Sequence, residues 1–145
     1  MKYLILLFSA QVIIFIASCG DDPSASLSVT FDPGIGSTVV KDAKKSCAVT
    51  MNIRETNGVG MRFSKNGYSY SATDGTVFFS EEFDEAGINR RYGTSRFPAR
   101  GSMGIMVEDT VRLSDPSDFD VREFIEGADD NGHRFNVKFS HQCRE

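Results

Sequence analysis

Residues 47–54 read Cys-Ala-Val-Thr-Met-Asn-Ile-Arg. Apolar side chains occupy every second position, at Cys47, Val49, Met51 and Ile53, and the positions between them are mostly polar. A period of two places alternate side chains on opposite faces of an extended strand. The stretch therefore predicts a β-strand with one face in a hydrophobic core and the other face toward water.

Similar alternating segments recur along the chain, and residues typical of turns separate them. The segments expected to form strands are residues 27–31, 47–53, 61–63, 68–72, 76–79, 103–107, 119–126 and 135–143. The turns expected between them are Asn57-Gly58, Asn66-Gly67, Asp74-Gly75, 97–101, 115–118 and 128–132. Asn66-Gly67 favours a hairpin because Asn and Gly tolerate positive φ.

Two segments fit the alternating pattern poorly. Residues 80–94 are mostly polar, and we expect a connection there, with a helical turn begun by Ser80. Glu123 falls on the apolar parity of Val121 and Ile125. A β-bulge at Glu123 would turn this carboxylate away from the core.

About seven short strands with frequent turns predict an all-β domain. The strand order resembles the immunoglobulin-like and fibronectin-III-like modules of bacterial surface lipoproteins. The turn at residues 97–101 and the hairpin at residues 129–132 carry this resemblance, which spans residues 27–143. It implies an immunoglobulin-like antiparallel β-sandwich over residues 27–145. A small up-and-down β-barrel is the alternative architecture.

The first 19 residues have the organisation of an export signal. Lys2 precedes the apolar residues 4–16, a run too short for a hydrocarbon core about 30 Å thick. Residues 16–19, Ile-Ala-Ser-Cys, then resemble the lipobox of bacterial lipoproteins. The resemblance implies cleavage between Ser18 and Cys19, with diacylglycerol and fatty acyl chains such as palmitate on Cys19. An ordinary signal peptide or an uncleaved anchor is the alternative.

This interpretation divides the chain into a signal peptide at 1–18, a lipidated cysteine with a flexible tether at 19–26, and the sandwich at 27–145. The expected location is the bacterial cell envelope. Gly20 follows Cys19, and this favours the outer over the inner membrane in a Gram-negative cell. The tether enters at the first strand. In the proposed sandwich, the turn at residues 57–60 and the 129–132 hairpin should therefore lie at the tether end.

The chain has three cysteines, an odd number for an exported protein. Lipidation would use Cys19, and an oxidising compartment would pair the remaining Cys47 and Cys143. In the implied sandwich the second strand begins at the end where the last strand finishes. We therefore expect a Cys47–Cys143 disulfide at the end of the domain far from the tether.

Composition and motifs argue against several functions. The formal net charge of −4 and the pI of about 5.2 do not suggest a nucleic-acid partner. The sequence contains two histidines and lacks the Gly-x-Ser-x-Gly, His-Glu-x-x-His and Cys-x-x-Cys patterns. We therefore expect no catalytic residue, metal site or cofactor. The histidines are interpreted as edge-strand or turn residues. An irregular calcium site remains an alternative, built from Asp115, Asp118, Asp120 and Glu126.

Two clusters could contact a ligand. Four arginines lie close together in the sequence and could meet an anionic lipid, glycan or acidic protein: Arg90, Arg91, Arg96 and Arg100. A solvated loop balanced by nearby acidic residues is the simpler explanation. Tyr68 and Tyr70 share one parity, which predicts core positions rather than a sugar platform.

The expected function is that of a membrane-anchored, non-enzymatic interaction module whose partner is another envelope protein or a glycan. A lipoprotein that binds a sugar or a lipid is the first alternative, and a hydrolase is the second.

Overall fold

The computed structural model describes residues 22–145. This part of the chain contains nine strands and one helix, and the notation β1–β9 and α1 follows chain order. The elements are β1 Leu27–Asp32, β2 Ile35–Lys41, β3 Lys44–Glu55, β4 Met61–Ala72, β5 Val77–Asp84, α1 Glu85–Tyr92, β6 Arg96–Phe97, β7 Ser102–Arg112, β8 Phe119–Asp129 and β9 Arg134–Arg144.

The strands form the two layers of an immunoglobulin-like sandwich, as predicted. In one layer β3 lies between β1 and β7, and in the other the order is β2-β9-β8-β4-β5. All pairs are antiparallel except β2 with β9, which are parallel. An up-and-down barrel would pair strands in chain order. The crossovers between the layers rule out that alternative.

Strands β1 and β2 form one interrupted edge strand that contributes to both layers. Asp32 is the last residue of β1 paired with β3, and the Asp32–Pro33 peptide bond is cis. Residues 35–37 then pair with β9 in the opposite layer, and residues 38–41 return to β3. The sequence analysis did not predict β2, because residues 35–41 do not alternate cleanly.

The inward faces of the two layers meet in a hydrophobic core. The alternating residues of β3 that suggested the fold are all buried there. Cys47 on β3 and Cys143 on β9 form a disulfide that joins the layers, with Cα atoms 6.0 Å apart. The pairing predicted from the cysteine count is therefore present in the structure. The disulfide lies far from the chain entry, as expected.

Two predicted connections are wrong. Asn66-Gly67 does not turn the chain but lies inside the continuous strand β4. Asn66 is buried and donates from Nδ2 to the carbonyl oxygen of Phe124, which makes it part of the β4–β8 contact. Residues 80–84 extend β5, and Asp84 rather than Ser80 caps the helix by accepting the Gly87 N–H.

The predicted bulge at Glu123 is also wrong. Strand β8 pairs with β9 without interruption, and the irregularity in the β4–β8 pairing lies on β4, between Phe63 and Lys65. Glu123 keeps the inward parity of its neighbours and is 3 % exposed. Its carboxylate remains in the interior because α1 supplies polar partners there.

The chain enters the domain at the end that holds the turn after β3 and the β8–β9 hairpin. Asn57 Nδ2 donates to the carbonyl of Ser24, and Asn131 Nδ2 donates to the carbonyl of Pro23. The predicted arrangement of this end is therefore correct. Residues 23–26 were expected to be flexible, yet these bonds hold them against the domain.

Two carboxylates fix the entering chain. Asp129 accepts the Ala25 N–H, and Glu55 accepts the Ser26 N–H. Burial would raise the pKa of Glu55, but backbone N–H groups of Arg100, Asn57, Ser26 and Gly58 lower it to about 2. Backbone hydrogen bonds favour the charged form of the carboxyl group. The ionised carboxylate of Glu55 thus connects the loop that follows β3 and the loop that precedes β7 to the chain at the start of β1.

Candidate functional site

A concave surface lies on the outer face of the β5-β4-β8-β9 sheet. It has a volume of about 530 Å³, which falls within the range of small-ligand sites. Cross-strand register arranges its outward residues in two rows of four. One row is Glu82, Gly67, Phe124 and Lys138, and the next is Ser80, Ser69, Arg122 and Ser140. We call this surface the trough.

Small residues make the trough concave. Three of the four members of the second row are serines, whose hydroxyl groups line the floor. Gly67 lies under the ring of Phe124, and a Cβ atom at this position would overlap that ring. The glycine therefore lets the Phe124 ring lie flat on the sheet. One face of the ring covers the backbone, and the ring stays partly exposed.

Some charged side chains along the trough form ion pairs, and others do not. Glu82 binds Lys65, with 2.8 Å between the carboxylate oxygen and Nζ, and Lys65 also lies 5.5 Å from the centre of the Phe124 ring. Arg122 and Lys138 are exposed, and neither side chain has an ion-pair or hydrogen-bond partner within residues 22–145. Two unpaired cations thus lie beside a hydroxyl-lined floor.

A second polar group of residues is enclosed between the layers. Tyr70 Oη donates to Asp109 Oδ1 over 2.9 Å, and His141 Nε2 lies 2.8 Å from Asp109 Oδ2. Burial, and then the Asp109 charge, raise the pKa of Tyr70. His141 is 2 % exposed, so its interpretation as an edge or turn residue is wrong, whereas His133 does follow the hairpin turn.

This Tyr70–Asp109–His141 group is part of the core. A reacting group must reach its substrate, and none of these three side chains is accessible. The Cys143 sulfur lies within 4.8 Å of the Asp109 and His141 ligand atoms. It is bonded to Cys47, so it is not a thiolate ligand. The group joins the two layers through hydrogen bonds.

The side chain of Glu123 lies in the same interior, where α1 supplies its partners. Arg91 Nη2 is 3.5 Å from Glu123 Oε1, and Tyr92 Oη is 3.2 Å from Oε2. Burial raises the pKa of Glu123, while the Arg91 charge opposes that shift. The Arg91 guanidinium also lies 4.6 Å from the centre of the Tyr68 ring. Helix α1 is thus attached to the sandwich by a largely buried ion pair.

The structure separates the predicted arginine cluster. Arg91 points inward to Glu123, so its assignment to a surface patch is corrected. Arg96 binds Asp130, and the Arg100 side chain lies beside Gly58. Arg90 is exposed on α1. Tyr70 is in the core, as predicted, and Tyr68 is partly buried beneath Arg91 rather than forming an open platform.

The carboxylates of the alternative calcium site each have a separate donor. Asp115 accepts the Arg112 N–H, Asp118 accepts the Glu145 N–H, and Asp120 binds Arg144. Glu126 accepts from Asn136. They form no convergent ligand group in the part of the chain that the structure describes.

Ser18 and Cys19, with the rest of the predicted signal peptide, lie outside the described residues. Helix α1, the only helix among residues 22–145, is too short and too polar to span a bilayer.

The trough was not predicted from the sequence. Its serines, Arg122 and Lys138 lie on four strands and share no local motif. The sequence indicated only that Arg122 and Phe124 lie on the same outward face of one strand, and that Lys138 and Ser140 lie on the same outward face of another.

Comparison with solved structures supports the fold. Northeast Structural Genomics Consortium target SoR45 superposes with a TM-score of 0.60 at 11% identity, covering 83% of this chain and 86% of that one. A Bordetella pertussis protein named ApaA superposes with a TM-score of 0.56 at 13% identity, covering 81% and 91%. At such low identity the likeness extends to the fold alone. No protein-family model and no curated protein matches the sequence.

Proposed function

We propose that this protein is an exported lipoprotein of the bacterial cell envelope that acts as a non-enzymatic binding module. The trough, with unpaired Arg122 and Lys138 beside a floor of serine hydroxyl groups, is the observation that carries the binding role. Cationic side chains and hydroxyl groups converge on this accessible surface. The polar groups that could resemble catalytic machinery are buried in the core.

Anchoring through Cys19 is the second part of the proposal and rests on the lipobox resemblance. Residues 23–26 are bonded to the domain, so only about three residues would separate a lipidated Cys19 from it. The outer sheet face that contains the trough would then be close to the membrane but not covered by it. Arg90, Arg96 and Arg100 remain candidates for a contact with anionic lipid.

Photo-crosslinking in intact cells tests the binding role. A photoreactive residue in place of Glu82 should give a covalent adduct, because this position lies in the trough. The same residue in place of Thr110, on the outer face of the opposite layer, is the matched control. Absence of an adduct at position 82, or equal adducts at both positions, would contradict the proposal.

Metabolic labelling with a fatty-acid analogue tests the anchor. The wild-type protein should carry the label on an N-terminal peptide that begins at Cys19. Cys19→Ser should abolish labelling and leave unprocessed precursor. A mature chain that begins elsewhere would refute the anchor without affecting the trough.

A further inference from the structure

We infer that the trough binds an acidic saccharide, with its carboxylate held by Arg122 and Lys138. This inference rests on the proposed binding function and names the ligand class of the same surface.

Charge complementarity requires an anionic ligand. The chain as a whole is acidic, with a net charge of −4, yet the two exposed cations of the trough have no carboxylate partner among residues 22–145. Three acidic residues line the trough, and each already has a partner: Glu82 binds Lys65, Glu81 accepts a hydrogen bond from the Tyr68 hydroxyl group, and Glu123 faces Arg91. Arg122 offers the planar pair of donors that matches a carboxylate, and Lys138 adds a second charge.

Lys138 lies opposite Phe124 on the neighbouring strand, and Arg122 lies two residues along β8. Side chains at such positions in a sheet are within about 7–8 Å of one another. One anionic group can therefore contact both cations.

The rest of the trough fits a sugar better than a peptide or a fatty chain. Ser69, Ser80 and Ser140 provide hydroxyl groups that both donate and accept hydrogen bonds, as sugar hydroxyls do. A fatty chain would need an apolar tunnel, whereas this surface is open and carries serine hydroxyl groups and two cations. A peptide that adds a strand would need a free sheet edge. Strand β5 is such an edge, but the trough lies on the outer face of the sheet and crosses four strands rather than following that edge.

Phe124 supplies the apolar part of the site. Gly67 and the strand backbone support its ring from below, so its orientation is fixed before a ligand binds. A flat aromatic ring beside hydroxyl groups can pack against the C–H face of a pyranose. We expect the saccharide to lie along the serine row, with a ring against Phe124 and its carboxylate toward Arg122.

Titration calorimetry on the full-length protein in detergent tests this inference. The probes are oligogalacturonate, neutral dextran oligomers of the same length, and poly-glutamate. We expect binding of oligogalacturonate only. Arg122→Gln combined with Lys138→Gln should weaken that binding by at least about tenfold, since each lost charge-assisted contact is worth on the order of a factor of ten.

The matched control changes two exposed cations outside the trough, Lys41→Gln with Arg54→Gln, and should alter affinity less than about twofold. Phe124→Leu still covers Gly67 but removes the flat ring, so it should weaken binding several-fold without unfolding the domain. Circular dichroism checks the fold of every variant.

Three results would overturn the saccharide assignment: no binding of oligogalacturonate, equal binding of dextran, or equal binding of poly-glutamate. If crosslinking at position 82 succeeds in cells while oligogalacturonate fails, the binding module stands and only the ligand class is wrong. If both fail, the trough has no binding role.

Discussion

Arg91→Ala should destabilise the protein strongly at neutral pH because it leaves the Glu123 carboxylate buried without its cation. The Glu123 side chain has 0% exposure, and Tyr92 is its only other side-chain partner among the described residues. Breaking a buried ion pair by removing one partner costs about 3–5 kcal/mol.

Protonation of Glu123 limits this cost. Neutralising a carboxyl group with an ordinary pKa of 4.5 at pH 7 costs about 3 kcal/mol, at 1.36 kcal/mol for each unit of pH. This value is an upper limit for the variant, because burial already raises the pKa of Glu123 in the wild-type protein. Loss of the Arg91 contact with the Tyr68 ring adds about 1 kcal/mol. We therefore expect a decrease of at most about 4 kcal/mol in the free energy of unfolding at pH 7.

The pH dependence follows from the direction of the pKa shift. Burial raises the pKa of Glu123 in the folded state above its unfolded value, and removing Arg91 raises it further. The penalty is therefore absent below the unfolded value of 4.5 and grows as pH rises toward the folded pKa. The destabilisation by Arg91→Ala should shrink to about 1 kcal/mol at pH 4.5, the part that comes from lost packing.

Urea unfolding followed by far-ultraviolet circular dichroism measures these values, since the chain has no tryptophan. Adding Glu123→Gln to Arg91→Ala should restore most of the stability at pH 7 and remove its dependence on pH. Arg90→Ala, the exposed neighbour on α1, is the control and should change stability by less than about 0.5 kcal/mol. A cost below about 1 kcal/mol at pH 7, or no recovery in the double variant, would refute the buried ion pair.

Three further predictions concern the ends of the domain. Replacing Cys47 and Cys143 together by alanine should lower the free energy of unfolding by about 4–5 kcal/mol, the chain-entropy value for a loop of this length. Thermal unfolding should show a lower melting temperature, and an unchanged melting temperature would contradict the prediction. Glu55→Gln should cost about 2 kcal/mol at pH 7, since it removes the charge that accepts hydrogen bonds from the backbone N–H groups of Ser26, Asn57, Gly58 and Arg100. The pKa of Glu55 in the folded state is lowered to about 2. Its contribution to stability is therefore present above the unfolded value of 4.5 and disappears as pH falls from 4.5 toward 2. Urea titrations should show a smaller difference in stability between the variant and the wild type at pH 3 than at pH 7. An epitope tag after Glu145 should be more accessible in intact membranes than one inserted at Asn131, which bonds the entering chain; stronger exposure of the Asn131 tag would show that the tether end is not shielded.

The sequence by itself was sufficient for the fold class and for the disulfide. Alternation of apolar residues in 47–54 is a local property of a strand with one buried face, and β3 reproduces it residue by residue. The odd cysteine count left only Cys47 and Cys143 to pair once Cys19 was assigned to lipidation. Both inferences needed only the chain's own periodicity and chemistry.

Only the tertiary structure decided the positions where local and long-range preferences conflict. Asn66-Gly67 favours a turn locally, but burial of Asn66 and the Phe124 ring over Gly67 keep β4 straight. Burial of the Glu123 carboxylate on the inner face of a strand is unfavourable by itself. It is stabilised here by Arg91, which lies on a helix distant in the sequence. The trough depends on register across four strands. Such register is set by the summed packing of the sheet, and no short stretch of sequence encodes it.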